Sequence, residues 1–406
     1  MNGKTDEKSA ISFLNSIPNE SKKVDEIAKQ LLWQTSGGEQ VFLHEKSIVV
    51  ELPPGRRTLT TSWLNGGYRE DIRYIYNHQV LHESDVDHEV SSLDGGGISA
   101  YSTIIAQKIG IDPLSSTGLM TAANMKNVAI VTHCFRNLEV TAVVTGGIEV
   151  NGGRAGDPAS YYQEEGQFTM ILGTINTILL IGANVPHYAM VNAVVTASEA
   201  KAVAVQELMA PSQYSQGIAT GSGTDMIAVV SDNTSHIDLD DSGKHSKLGE
   251  LIGKCIKEAT KKALAQQSDL TPHSQCNMLV RLERFGIDEK RYWKEASSME
   301  GENRKSQFID ELRIIAKNPA LVSLTTSLLH IVDEISWGLL PDKAGKKAAF
   351  SLIKGIPEIL PAEKYPPFNR LLCEKDDVLD NWVRVTAWIC KNGRCNSEIK
   401  SSNLTN

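Results

Sequence analysis

Val128-Ala-Ile-Val-Thr-His-Cys-Phe135, then Arg136-Asn137, then Leu138-Glu-Val-Thr-Ala-Val-Val-Thr-Gly146 is the stretch on which the fold turns. Two runs rich in β-branched residues are joined by only two residues. Such a link closes an antiparallel hairpin and is too short for a parallel crossover. Further strands are expected at Phe168–Ile181 and Met226–Ser231, with two long helices, Pro186–Met209 and Ser246–Ala265, between and after them. On the N-terminal side, Val41–Leu52 alternates as a strand. Thr58–Leu64 and Ile72–Tyr76 continue the pattern across the turn signal Asn65-Gly-Gly. Asp94-Gly-Gly-Gly leads into a helix over Ile98–Ile109. The pattern is that of an α+β domain, a mostly antiparallel or mixed sheet with packed helices.

The rest of the 406 residues divides around this domain. Residues 1–35 read as a polar tail with one short helix over Val24–Trp33. The domain spans 36–266, and 267–275 is a linker containing Ser268-Asp-Leu-Thr-Pro-His-Ser274. Residues 276–396 read as a small all-helical domain, with helices at Ser306–Ala316, Ala320–Trp337, Ala344–Leu352 and Asp377–Cys390, and 397–406 as a tail. No internal repeat or low-complexity tract interrupts this order.

In Pro186–Met209, residues Met190, Ala193, Ala197, Ala200, Ala204 and Leu208 share one face at helical spacing. Lys201 lies inside that stripe, about 40° from Ala197. A lysine so placed either snorkels to water or turns its ammonium to a carboxylate or ligand. In Ser246–Ala265 the apolar spacing is unbroken through Leu248, Leu251, Ile252, Cys255, Ile256, Ala259 and Ala263. Lys244 and His245 stand just before its N-terminus, the end that attracts anions. They are read as lining a site or as a solvated turn.

Glycine clusters end several of these apolar runs, and groups able to bind and catalyse stand among them. Thr145-Gly-Gly-Ile-Glu-Val-Asn-Gly-Gly-Arg-Ala-Gly-Asp-Pro-Ala159 carries Glu149, Asn151, Arg154 and Asp157. Gly173-Thr-Ile-Asn-Thr177 carries Asn176. Ala219-Thr-Gly-Ser-Gly-Thr-Asp225 carries Gly221, Gly223, Thr224 and Asp225. A glycine backbone can turn sharply or approach a ligand. Together these loops have the layout of an active site built at strand ends.

The net charge of −8 argues against a nucleic-acid partner, whose binding draws on basic residues. No apolar stretch approaches the roughly 20 residues that span a bilayer. Met1–Gln30 is charged and lacks a secretory apolar region. With six irregularly spaced cysteines, reduced thiols and a cytoplasmic setting are expected. No cluster ends in Gly-Lys-Ser/Thr, so a phosphate-binding loop is absent. His78, His82 and His88, with Glu83, Asp85, Asp87 and Glu89, could supply metal ligands but sit in what reads as a solvated acidic loop. His133 and Cys134 point to opposite faces of their strand and cannot form a nucleophile–base pair.

Val144-Thr-Gly-Gly-Ile-Glu-Val-Asn-Gly-Gly-Arg-Ala-Gly-Asp-Pro158, Gly173-Thr-Ile-Asn-Thr-Ile178, Thr196-Ala-Ser-Glu-Ala-Lys-Ala202, Gln206-Glu-Leu208, Ala219–Asp225 and Gly243-Lys-His-Ser-Lys-Leu-Gly-Glu-Leu-Ile252 also carry a resemblance. With Ser62-Trp-Leu-Asn-Gly-Gly67 and Tyr76-Asn-His-Gln79, they resemble the adenosylcobinamide amidohydrolase family over about residues 36–266. The resemblance implies hydrolysis of the amide joining the corrin propionyl arm to aminopropanol. The product would be adenosylcobyric acid for cobalamin salvage, and complete corrinoids are a related substrate. It implies a corrinoid partner, no required cofactor and cobalt carried by the substrate. A homo-oligomer stays open.

Amide hydrolysis needs a nucleophile, an oxyanion stabiliser and an acid for the leaving amine. On chemical grounds, Glu149 or Asp225 is the candidate base for water or for the Thr224 hydroxyl. The backbone of Gly221–Thr224 with Asn151 is the oxyanion site, and His245 or Lys201 the acid. Arg154, Asp157, Asn176 and Lys244 are candidate substrate-binding groups. A non-catalytic corrinoid-binding or delivery protein is the alternative.

Overall fold

In a computed structural model of the chain, residues 29–80, 97–159, 162, 173–360 and 364–393 are described. The first stretch holds β1 (Gln30–Gln34), β2 (Gln40–His44), β3 (Ser47–Glu51), β4 (Arg56–Thr60), β5 (Gly67–Arg69) and β6 (Tyr74–Gln79). Then come α1 (Ile98–Lys108), β7 (Ser116–Thr121), β8 (Ala129–Phe135), β9 (Leu138–Gly147) and β10 (Gly152–Gly153). After them follow β11 (Thr174–Ile181), α2 (His187–Glu207), β12 (Gly221–Ser222), β13 (Met226–Asp232) and α3 (Lys247–Ser268).

The strands make two large sheets, β1-β2-β3-β6-β7 and β5-β4-β13-β11-β9-β8, and a short β10-β12 ribbon. Pairing is antiparallel except for β6 with β7 and β11 with β13. A parallel pair needs a crossover, and α2 supplies it between β11 and β13. Strand alternation then sets the layers. Val140, Ala142 and Val144 of β9, Leu179 and Ile181 of β11 and Val229 of β13 pack under α2 and α3. From the same strands, Val143, Ile178, Leu180, Ala228 and Val230 face the other way and meet Val41, Ile48, Val50, Ile75 and Leu119 of the first sheet. The far face of that sheet, through Val49, Tyr76 and Met120, is covered by α1. The result is four layers, helix–sheet–sheet–helices, and an α+β fold as expected.

Polar groups pin the two sheets together. Asn176 is buried between them and donates to Asn77 Oδ1 and Met120 O, each at 2.8 Å, while its Oδ1 accepts from Met226 N at 3.2 Å. Asn77 in turn donates to Thr145 Oγ1 at 2.7 Å. The buried Arg56 pairs with Glu39 and with Asp232, tying the β1–β2 turn to the end of β13. Buried charges are tolerated when paired in this way.

The β8–β9 hairpin forms as read, with Arg136 in the left-handed region at φ 54°. α1, α2 and α3 also fall where the spacing placed them. Three strand readings need correction. Val41–Leu52 is two strands, folded back at Glu45, whose φ is 51°. Asn65-Gly-Gly turns β4 into the short β5, not into the strand at Ile72–Tyr76, which belongs to the other sheet. Of the helix expected at Val24–Trp33, residues 30–33 are strand β1, because pairing with β2 overrides local helical preference. Residues 24–28 of that segment and 168–172 of the strand expected at Phe168–Ile181 lie outside the described residues.

Beyond α3 come α4 (Met278–Leu282), α5 (Glu289–Ser297), α6 (Lys305–Ile315), α7 (Pro319–Ser336), α8 (Asp342–Lys354), α9 (Ile356–Ile359), α10 (Phe368–Leu371) and α11 (Val378–Asn392). They enclose a core of their own around Trp382, Tyr292 and Leu312. No described helix is long and apolar enough to cross a membrane.

Candidate active site

The parallel pairing of β11 with β13 sets Asn176 beside Met226, so the two strands begin side by side. The residues just before them, Gly173 and Thr224-Asp225, are thereby brought together. Thr224 Oγ1 donates to Gly173 O at 2.8 Å, and Thr174 Oγ1 donates to Thr224 O at 2.6 Å. β10 pairs with β12, Gly152 opposite Ser222 and Gly153 opposite Gly221, which zips the first glycine loop to the third. α2 runs back over this end of the sheet and brings Lys201 to the same place.

Asp225 is the hub. Its Oδ1 accepts from Ser222 Oγ at 2.6 Å and from Ile175 N at 2.8 Å. Its Oδ2 accepts from Ser222 N at 3.0 Å and forms an ion pair with Lys201 Nζ. Side-chain exposure is only 18% for Lys201 and 14% for Asp225, so water screens the pair weakly. Gly221 is required beside it. A Cβ there would fall on the Asp225 carboxylate and 2.8 Å from Lys201 Nζ.

A cavity of about 500 Å³ opens over this hub, a size suited to a small-molecule site. Its wall includes Lys201, Ser222, Asp225, Asn151, Arg154 and Tyr214. Asn151 is fully buried; it donates to Gly173 O at 2.8 Å and accepts from Tyr214 OH at 2.9 Å. Asp157 accepts from Arg154 N at 2.8 Å and from Ser212 Oγ at 2.5 Å. Burial alone would raise the Asp157 carboxyl. Hydrogen bonds from Ser212, Ser215 and the Arg154 N–H, together with the Arg154 charge, hold it below its ordinary value.

Of the residues singled out from sequence, Lys201, Thr224, Asp225, Asn151, Arg154, Asp157, Gly221 and Gly223 line this cavity. Four do not. Glu149 is exposed beside Gly147. Asn176 is an inter-sheet clamp, and its capacity is spent there. Lys244 pairs with Glu199 at 2.6 Å on the surface, and His245 is exposed in the turn before α3. The conflict at that helix start is resolved by Ser246, which accepts from Gly249 N, and by Glu250 in the first turn. Asp225 has all its lone-pair directions occupied, so it fits the role of an anchor better than that of a base for free water. Thr224 gives its proton to a backbone carbonyl, which cannot serve as a base.

Ser212 and Tyr214 escaped the sequence reading, and Ser222 was not singled out within the Ala219–Asp225 loop. Ser222 had a usable signal, since Ser-x-x-Asp spacing lets the serine N–H and hydroxyl both reach the aspartate across a turn. Tyr214 had none, because its partner Asn151 is 63 residues distant in the chain.

Other candidates carry no chemistry here. His133 pairs with Glu258 at 3.0 Å, and burial with Glu139 raises the Cys134 thiol, so it is not an activated nucleophile. Cys134, Cys255, Cys276, Cys373 and Cys390 form no disulfide among the described residues; Cys395 lies outside them. Of the histidine-acid segment only His78 is described, bound to Ser47 Oγ at 2.8 Å; His82, Glu83, Asp85, Asp87, His88 and Glu89 are not. Among the described residues, no group of three or more His, Cys, Asp or Glu side chains is placed to hold a metal.

Comparison with known proteins places this region. A protein of Methanocaldococcus jannaschii named Uncharacterized protein MJ1613 is 32% identical over 238 residues, 55% of this chain and 88% of its own length. The adenosylcobinamide amidohydrolase of Methanosarcina mazei is 26% identical over 234 residues, 55% of this chain and 95% of that protein. The crystal structure of the PH0078 protein from Pyrococcus horikoshii OT3 covers 58% of this chain and 80% of its own at 12% identity. Its TM-score to this chain is 0.28. The family profile described as adenosylcobinamide amidohydrolase matches residues 33–272, which contain every residue of the cavity wall. By that match the chain belongs to the adenosylcobinamide amidohydrolase family.

Proposed function

We propose that the chain hydrolyses the amide between the corrin propionyl arm and aminopropanol in adenosylcobinamide, giving adenosylcobyric acid. The observation that supports this most is the Ser222–Asp225–Lys201 chain on the wall of a cavity inside the family-matched region. A hydroxyl is bound to one carboxylate oxygen and an ammonium to the other. Attack on an amide carbonyl and protonation of the departing amine need just these groups.

In this reading Ser222 Oγ attacks the carbonyl carbon and its proton passes to Asp225 Oδ1 along the 2.6 Å hydrogen bond. Lys201 gives a proton to the leaving nitrogen as the C–N bond breaks and is reprotonated from Asp225. Water then attacks the acyl-serine ester: Lys201 passes its proton to Asp225 and takes one from the water, and Asp225 returns a proton to Ser222 Oγ as the ester C–O bond breaks. The Gly223 N–H makes no hydrogen bond among the described residues and is the donor proposed for the oxyanion. The buried Asn151 holds the loop that faces it. A cavity of this volume takes in the arm with its scissile amide, while the macrocycle rests over the mouth beside the exposed Arg154. The cobalt is part of the substrate, and the reading calls for no nucleotide.

The test is incubation of the purified full chain with adenosylcobinamide, without nucleotide, followed by chromatography and mass spectrometry. Adenosylcobyric acid and free aminopropanol are the expected products. Corrinoid that binds but is recovered intact would make the chain a binding or delivery protein. Turnover of small amides with indifference to corrinoids would make it a different amidase.

A further inference from the structure

The segment after α2 folds back on itself: Pro211 bridges Ile218, and Ser212 N donates to Gly217 O at 2.9 Å. One side of this hairpin faces the candidate site. Ser212 Oγ donates to Asp157 at 2.5 Å, and Tyr214 OH donates to Asn151 at 2.9 Å. Gln213 N donates to Gly152 O at 2.8 Å. The Arg154 stem lies so close to Gly217 that a Cβ there would fall 2.7 Å from Arg154 Cδ. Asn151, Arg154 and Asp157, all on the cavity wall, thus take their places against one short hairpin.

The other side of the hairpin meets the helices beyond α3. Met209, Pro211 and Ile218 share a small cleft with Val280, Arg281 and Leu329. Arg284, just after α4, crosses this junction. Its guanidinium makes two hydrogen bonds to Asp333 of α7, at 2.8 and 2.6 Å, and its Nη1 also donates to Gln216 O at the hairpin tip. The two charged side chains are only 4% and 15% exposed. A planar fork seated on a carboxylate has a fixed direction, so Asp333 aims Arg284 at the Gln216 carbonyl. Both residues lie past the family match, which ends at residue 272.

We propose that Arg284, oriented by Asp333, is a positioning residue for the candidate site. It holds the 211–218 hairpin so that Ser212 and Tyr214 set Asp157 and Asn151 at the cavity. The helices after α3 then act on the site without lining its cavity, through one guanidinium. The consequence for turnover rests on the hydrolysis proposed above; the consequence for the loops does not.

The test uses the full chain with Arg284→Met and Asp333→Leu together, which removes both charges and leaves no unpaired one buried. Arg284→Lys keeps the charge but loses the fork, and it decides in the same way if the double variant does not fold. Hydrogen exchange, followed by mass spectrometry, is read at 211–219 and at 151–157. Exchange in both segments should rise by about tenfold or more in the double variant, with β9 unchanged. Because small displacements of groups that seat a substrate are costly, kcat/KM on adenosylcobinamide should fall by about tenfold. Ser212→Ala with Tyr214→Phe cuts the hairpin from the site. Adding the Arg284 and Asp333 changes to that background should alter kcat/KM by less than about twofold, since both act through one link. A general loss of stability would instead add in full. Unchanged exchange at 151–157, unchanged kcat/KM or full additivity overturns the proposal. Wild type that turns over no corrinoid sinks the hydrolysis alone, and exchange at 151–157 then decides the positioning role.

Discussion

Lys201, in the second half of α2, and Asp225, one residue before β13, form an ion pair across the space that Gly221 leaves open. The lysine in the apolar stripe of its helix therefore neither snorkels to water nor stands alone. Its stem crosses the buried edge of the helix and its ammonium meets a carboxylate already held by three other donors. Replacing Lys201 with Met keeps the stem and deletes the ammonium. Turnover of adenosylcobinamide is expected to fall by about a hundredfold or more, with corrinoid binding, followed by absorbance titration, little changed. Unaltered kcat in a folded K201M protein would remove Lys201 from the mechanism.

Ser222 and Thr224 are two hydroxyls on one loop with different partners, which makes them a matched pair of tests. Ser222→Ala removes the proposed nucleophile and should lower kcat by about a thousandfold or more. Thr224→Val removes a hydrogen bond to Gly173 O and should cost about 1 kcal/mol of stability while leaving kcat within about threefold. The reverse ranking would restore Thr224 as the nucleophile.

Glu149 and His245 stood out in the sequence as base and acid, yet both side chains are exposed and neither lines the cavity. Glu149→Gln and His245→Ala are expected to change kcat/KM by no more than about twofold, the scale of ordinary surface substitutions. A hundredfold loss in either would show that substrate binding reorganises the first glycine loop or the turn before α3.

Asn176 joins both sheets through hydrogen bonds to Asn77, Met120 O and Met226 N. Asn176→Ala leaves those groups buried and open, at a cost of about 3 kcal/mol. The urea midpoint should drop accordingly, whereas kcat per folded molecule stays near wild type because Asn176 does not reach the cavity. A catalytic defect without a stability defect would contradict the clamp role.

His78 supplies a pH dependence. Burial, with Lys46 and Lys108 nearby, pushes it down to about 4. An unfolded histidine takes up a proton near about 6.5. Between those values the unfolded chain holds more protons, so stability falls as pH drops through that window and is fully restored above it. Tm measured from pH 7 to 4 should fall along this course, and His78→Gln should flatten it. A slope identical in both proteins would assign the acid sensitivity to other groups.

Much of this organisation is legible in the sequence, and what is not has physical causes. The α2 and α3 stripes and the Arg136-Asn137 hairpin are local patterns and survive folding. The β2–β3 turn does not announce itself, because it relies on Glu45 adopting a left-handed backbone without a glycine. The separation of β4 and β6 into different sheets is a decision made by long-range packing, invisible in their alternation. At the site, the glycine loops mark where ligands can approach. Which carboxylate faces inward depends on β10–β12 pairing, so Asp225 and Asp157 reach the cavity while Glu149, five residues before Arg154, does not.

The two separate cores bear on the order of events during synthesis. Residues through α3 close their apolar layers without help from the helices that follow, whose own core is built around Trp382 and Tyr292. Domains fold as units, N-terminal first, while the chain is still being made. The candidate-site cavity thus takes shape while Arg284 and Arg281 are still in water or in the ribosome tunnel. The junction, and with it the hold of Arg284 on Gln216, is the last part of the described molecule to close.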